Sequence, residues 1–452
     1  MARTGAMRGA ALHPALCAYL VAVLLPVQVQ AGPVLLTSVR AVLLLLLAPL
    51  VWGLLRGRFG PPIWTDALLA AHVLWIPVAF ARTTPDFAAS QAGSVGLELI
   101  GGYLVGRAFV RDARAFRAVI AALAGALALL LPAAIHEAAT GKPILLEALR
   151  ALPGIGTPGV VTIERRLGLE RVQSVFAHPI HFGLFASSLL SLVVLGLRGT
   201  GAWRWPLAGA AALATFLSLS SGAILAAAIQ CGLLAWAACI RWRWRWALLL
   251  SLCAAAYVAI DLASDRTPIR VFMSYATFSP HNAFWRAQIF DWGLDNVTGN
   301  AARGIESAWL FGIGMGDWIR PHYMNSGSMD NFWLVLAVRY GVPGAALLAA
   351  GYGLLVWQVA RAPVPPEVRD MRIAWAIAFT GLTFTLATVH IWTSIHSYVF
   401  FLLGAGAWMA RPGPGPAPHP PRRRVYARAL PPTLRSRTVP QHAARAPNAA
   451  VS

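Results

Sequence analysis

Four arginines, one acid–amide pair and two histidines carry most of the chemistry that this chain offers. Arg171 lies shortly before an apolar run that begins at His178, with Arg166 five residues earlier. Arg286 sits inside Phe284-Trp-Arg-Ala-Gln288, and Arg303 follows in the same polar stretch. A guanidinium stays charged and pairs bidentately with phosphate. Two or three of them converging at a membrane surface would hold a lipid diphosphate and stabilise it as a leaving group without a metal. The competing reading is also physical: such arginines snorkel to headgroups or pair with Glu164 and Glu170.

Asp330-Asn331 enters a long apolar run, and nine residues later comes Gly341-Val-Pro-Gly344. An ionisable residue at a membrane boundary is a functional-site candidate. Ser328, Asp330 and Asn331 also have the composition of a helix N-cap, and the two roles are compatible because a capping residue is rigidly held. His178 and His181 are three apart at a helix start; a metal would need more ligands, and no companion cluster is present, so no metal or cofactor is expected. His281, His322, His390 and His396 map near the same face. Gly312-Ile-Gly-Met-Gly316 lacks the βαβ context of a dinucleotide fingerprint and reads as a turn. The Phe284–Gln288 segment reads as a short helix on the membrane surface, anchored by its aromatic residues.

The elements that must position these groups are membrane helices. Only 12% of the 452 residues are charged and 58% are hydrophobic, too few charges to cover a soluble protein of this size. Apolar windows of about 20 residues recur, the length that crosses a bilayer. They predict an all-α, polytopic fold with about twelve spans. Spans one to five occupy 1–136, a first outer loop 137–177, spans six to nine 178–262, a large outer loop 263–331, and spans ten to twelve 332–410. The first span is placed near Ala10–Gln30 and the second near Val34–Leu55; the tenth should bend at Gly341–Gly344. Arg3, Arg8 and Val29-Gln-Ala-Gly32 also have the layout of a signal peptide, the lesser of two readings. From Arg411 the chain is rich in Pro, Arg and Ala and reads as a disordered cytoplasmic tail.

With the N-terminus in the cytoplasm, every second connection is Arg-rich, and both long loops fall on the other side. The net charge of +20 therefore reports topology rather than a nucleic-acid face. Cys17, Cys231, Cys239 and Cys253 all lie in apolar runs and read as small core hydrophobes. Mid-span ionisable residues are few: Arg40, Glu98 and Arg339.

In its motifs the chain resembles the superfamily of O-antigen ligases and O-antigen or exopolysaccharide polymerases. Three features carry the resemblance: Arg171 followed by Phe176-Ala-His-Pro179 at a span; a late outer loop with Arg286 near Trp285 and then Gly312–Gly316; and Asp330-Asn331, nine residues, Gly341-Val-Pro-Gly344. Ligases of that family place His where this chain has Asp330. The resemblance implies a bacterial inner-membrane, metal-independent glycosyltransferase with a periplasmic active face. Its donor would be an undecaprenyl-diphosphate-linked glycan and its acceptor a glycan or lipid, in a setting of membrane lipids and other polysaccharide-assembly proteins. By the same resemblance Arg171 and Arg286 bind diphosphate, Asp330 orients or deprotonates the acceptor, and Asn331 assists. Arg166, His178, His281 and Arg303 are candidate substrate-binding residues. The alternative is a transporter or flippase, which would place its charged groups at mid-membrane.

Overall fold

A computed structural model describes residues 12–32, 34–161, 165–265, 267–268, 271, 280–324 and 326–410. The expected tail lies outside them, as does Glu164. The chain is mostly helical, and seven helices among the described residues are long and apolar enough to cross a membrane. Five of these are α2 (Ser38–Leu55), α3 (Trp64–Thr83), α6 (Ala113–Thr140), α10 (Ser221–Cys239) and α11 (Arg245–Ala263). The other two are α8 (Pro179–Ser191, extended to Gly196 by a wider π turn) and α13 (Phe332–Arg361).

The remaining helices are shorter or more polar. They are α1 (Pro14–Leu24), α4 (Ala88–Gly96), α5 (Gly102–Phe109), α7 (Ile144–Arg150), α9 (Arg204–Leu217), α12 (Pro280–Thr298), α14 (Pro366–Leu386) and α15 (Thr393–Ala410). In α14 the first two turns carry Glu367, Arg369, Asp370 and Arg372.

Two expectations need correction. The first two apolar windows are separated by a β-hairpin, Gln28–Ala31 (β1) paired antiparallel with Val34–Thr37 (β2), Gln28 opposite Thr37. The signal was present in the alternation Val-Gln-Val-Gln, which has the period of a strand, and in Gly32, which turns with φ +59. The four cysteines are all exposed rather than in the core. On a helix that faces lipid the outer surface is as apolar as the inner one, so an apolar run does not reveal which face a small residue occupies.

Close backbone approach fixes the bundle. At Gly106 a Cβ would stand 2.2 Å from the Phe401 carbonyl, and at Gly404 one would stand 2.0 Å from that of Tyr103. These glycines let α5 and α15 pack backbone to backbone. A second pair, α3 with α13, is tied by polar contacts: Trp75 Nε1 donates to Tyr340 O at 2.8 Å, and His72 Nδ1 meets Gly344 O at 2.7 Å.

The connections fall into two sets. In one, Arg107 pairs with Asp66 at 3.0 Å and reaches Pro61 O, and Arg198 pairs with Asp370 at 3.3 Å. The other set holds the turn at Thr83–Thr84, the segment before α8, the α9–α10 turn, the stretch before α13 and the α14–α15 turn. These touch one another: Met315 N donates to Thr84 Oγ1, Val172 N to Leu217 O, and Phe332 N to Val389 O. The candidate chemistry lies in this second set.

Inside the bundle a second charge network, besides Arg107–Asp66, is buried around Glu98. Arg40 Nε donates to Glu98 at 2.8 Å, and His396 Nδ1 faces the other Glu98 oxygen at 3.3 Å.

Candidate functional site

The segment that carries Arg171 is extended and stitched to the end of α6. That helix stops at Gly141 in the left-handed conformation (φ +74), one turn beyond Glu137. The buried Glu137 carboxylate accepts Gln173 N at 2.8 Å and Ser174 N at 3.0 Å. The Gln173 side chain accepts Val161 N and donates to Gly159 O. Glu170 N donates to Ala138 O. Arg171 is thereby held from both sides, and its Nε is buried without a hydrogen-bond partner.

Arg166 reaches Leu219 O at 2.7 Å, and Arg286, on α12, donates to Ser221 Oγ at 3.1 Å. Both therefore meet the α9–α10 turn, next to the residues that fix Arg171. The coupling is visible in their acidity. Burial, then Arg166 and Arg286, push the Arg171 guanidinium down to about 10, while Asp330 acts the other way. Burial also lowers Arg286, with Asp330 opposing and Arg166 reinforcing the shift. Arg171 and Arg286 thus both feel the Asp330 carboxylate, with the Arg166 guanidinium near enough to repel them, an arrangement suited to a multivalent anion.

The helix entrance is divided between two residues. Asn331 Oδ1 accepts Leu334 N at 3.1 Å and is the N-cap of α13. Asp330 takes no part in the cap; Ser328 Oγ donates to it at 3.2 Å. The cap signature therefore belongs to Asn331, and Asp330 is left free to act electrostatically on Arg171 and Arg286.

His178 caps α8: its Nδ1 accepts Ile180 N at 3.1 Å. Burial and Arg171 push the imidazole down to about 4. It is neutral at physiological pH, and with Nδ1 accepting, its proton sits on Nε2, which makes it a donor.

His178 and Asp330 line a cavity of about 500 Å³ together with Arg339, His390, Trp392 and Trp318. Trp392 and Trp318 were not singled out from sequence, and His390 and Arg339 were noted only as an outer-face histidine and a mid-span charge. Nothing in their local spacing marks them, because three separate segments bring them here. Burial, then Arg339 and His396, push His390 down to about 3.

Two other candidates stand apart. Arg303 pairs with Asp295 and lies over the Trp292 ring at 4.2 Å, so its charge is already engaged on α12. His281 belongs to α12, but its side chain lies outside the described residues. The surface-helix expectation is also revised: Phe284–Gln288 is part of a 19-residue helix that packs against α13, with Phe284 exposed.

The Gly312–Gly316 stretch is a strap locked into the break of α13. Gly341 has φ +73 and ψ 170, which interrupts the helix, and Pro343 has no amide to donate. The freed carbonyls of Val338 and Arg339 accept Ile313 N at 2.7 Å and Gly314 N at 3.1 Å, while Val342 N donates to Trp309 O at 2.7 Å. A Cβ at Gly341 would stand 2.1 Å from Leu310 O, so only glycine fits there.

Backbone strain gathers around the same site. Four described non-glycine residues have positive φ: Leu167, Ser174, Leu219 and Thr393. Leu167 adjoins Arg166, Ser174 follows Arg171 closely, Leu219 accepts from Arg166, and Thr393 follows Trp392. Such residues cost about 1–3 kcal/mol each and persist where surrounding contacts over-determine them. No protein-family model and no curated protein matches this chain.

Proposed function

We propose that this chain is a membrane glycosyltransferase of the O-antigen ligase and polysaccharide polymerase type. It would act on an undecaprenyl-diphosphate-linked glycan at the periplasmic face of a bacterial inner membrane, crossed about twelve times. The observation that carries the reading is the gathering of Arg166 and Arg286 on the Leu219–Ser221 turn beside Arg171, with Arg171 and Arg286 both coupled to Asp330. In this reading the arginines hold the diphosphate and stabilise it as it leaves the anomeric carbon. Asp330 takes or orients the acceptor hydroxyl proton, and His178 donates a hydrogen bond from the cavity wall. Asn331 serves by fixing the helix start.

The test is the surface glycan of cells carrying Asp330→Ala, profiled by chain length beside a deletion strain. Loss of long chains with single units retained indicates polymerisation. Loss of all attached glycan with lipid-linked chains accumulating indicates ligation. An Asp330→Ala profile that stays normal while the deletion changes would remove Asp330 from the reaction.

The buried Arg40–Glu98–His396 network is the observation that favours the second reading, transport of a lipid-linked or anionic solute. Glycan transfer by purified protein in detergent separates the two, since a transporter needs a sealed compartment.

A further inference from the structure

A second cavity of about 590 Å³ is lined by Trp309 to Ile313, the segment that leads into and through the strap. The two share Ile313 and Asp317, so they are adjoining compartments separated by one ridge. Each is of the size that takes a drug-sized ligand, roughly 300–1,000 Å³, and together they accommodate something longer. Their linings have one chemical character. The first presents Asp330, Asp317 and the indole of Trp392, with Arg339 and His178 beside them; the second presents Glu306, Ser307, Thr83 and the indole of Trp309, with Arg82 beside them.

Planar aromatic faces beside carboxylates and hydroxyls suit sugar rings, which offer an apolar C–H face and a hydroxyl edge. The ridge is rigid, because the strap is hydrogen-bonded into the Gly341 break and Arg320 pairs with Asp317. Trp309, Glu306 and Ser307 are exposed, and nothing in the catalytic step described above uses them.

We propose that the two cavities form one groove for a glycan chain of several sugars, running from Asp330 over Asp317 to Trp309 and Glu306. The acceptor is then an oligosaccharide gripped well beyond its reacting end. This rests on the glycosyltransferase reading for its direction, but the binding itself requires no transfer. Aromatic and carboxylate contacts spaced along the groove make affinity rise with chain length.

The test uses the full chain in lipid nanodiscs and fragments of the producing cells' own surface polysaccharide. These are cut by partial acid hydrolysis to one, two and four repeat units, and binding is measured by calorimetry. The expected result is tighter binding of four repeats than of one. In Trp309→Ala and Glu306→Gln the four-repeat affinity falls about fivefold to tenfold, toward that of one repeat. Both variants are expected to fold, because Trp309 holds the strap through its backbone carbonyl and Glu306 is exposed; gel filtration checks this.

Equal affinity for one and four repeats, or length dependence that survives in a folded Trp309→Ala protein, overturns the groove. The two proposals fail separately. Length-dependent binding that Trp309→Ala removes, in a wild-type protein that transfers nothing, keeps the groove and removes the enzyme. Transfer lost in Arg171→Ala with no length dependence in the wild type does the reverse.

Discussion

Asn331 accepts the amide of Leu334 at 3.1 Å, and the neighbouring Asp330 does not cap the helix. The two residues, alike in shape and adjacent in sequence, are therefore expected to fail differently. Asn331→Ala should cost about 1 kcal/mol of stability, the usual value for a lost N-cap, and Asn331→Ser should restore most of it. Asp330→Ala should lose transfer, and because it leaves Arg171 and Arg286 without their opposing charge it should also lower the melting temperature, a loss that a second substitution, Arg171→Gln, relieves. Thermal melts of the purified variants beside transfer assays make the comparison. A drop for Asp330→Ala that Arg171→Gln does not relieve, with Asn331→Ala unchanged, would reverse the assignment.

Arg171 is buried against two like charges. Removing it should relieve repulsion in the empty protein, so Arg171→Gln should gain stability of up to about 1 kcal/mol after solvent screening. The same variant should lose its response to inorganic diphosphate. In the wild type that anion should raise stability by about 2.7 kcal/mol at a hundredfold excess over its Kd. Melting curves with and without diphosphate read both effects. Equal stabilisation of both proteins would show that the anion binds elsewhere.

Glu137 accepts two consecutive amides, those of Gln173 and Ser174, and so sets where Arg171 stands. Glu137→Ala would leave both buried amides unsatisfied, at about 1–3 kcal/mol each. Glu137→Gln keeps one good acceptor and should be milder in stability. Both should reduce transfer by raising KM for the lipid-linked donor more than they lower kcat, because Glu137 acts through the position of Arg171. Steady-state kinetics in nanodiscs would test this; an effect on kcat alone would mean that Glu137 touches the reacting atoms.

His178 is neutral in the folded protein down to about pH 4, whereas an unfolded histidine protonates near 6.5. Between those values the unfolded state binds the extra proton, so this residue makes stability fall as pH drops through the window and contributes no slope above about 6.5. His178→Gln should flatten the melting temperature between about pH 4.5 and 6.5 relative to the wild type. His390, shifted the same way to about 3, remains in both proteins and cancels in the comparison. Identical pH profiles would place His178 in a solvated setting.

Membrane helices were legible because their signal is compositional: length and apolarity over about 20 residues. The hinge at Gly341-Val-Pro-Gly344 was legible for a similarly local reason, since Pro343 lacks an amide and Gly341 tolerates positive φ. Arg166, Arg171, Arg286 and Asp330 could be singled out one by one as unusual charges beside apolar runs. Their convergence could not, because it is made by long-range contacts such as Arg166 to Leu219 and Arg286 to Ser221. The same holds for Glu137, which reads as the first residue of a loop until its two amide partners are seen. Arg303 was a weaker candidate than Arg286, and its pairing with Asp295 and the Trp292 ring, both on α12, shows why it stands apart. The hairpin at Gln28–Thr37 was hidden by the hydrophobic windows on either side, although its alternation was present.

The central claim is that converging arginines and Asp330 transfer glycan from a lipid diphosphate. Its most direct measurement is transfer by the purified chain in nanodiscs, supplied with a radiolabelled undecaprenyl-diphosphate-linked glycan and an oligosaccharide acceptor. The wild type should lengthen the acceptor and release the lipid diphosphate without added metal. Arg171→Ala and Asp330→Ala, folded by gel filtration, should do neither. Unimpaired transfer by either variant would contradict the account, as would a wild-type protein that moves the lipid-linked glycan across a sealed membrane without breaking its glycosidic bond.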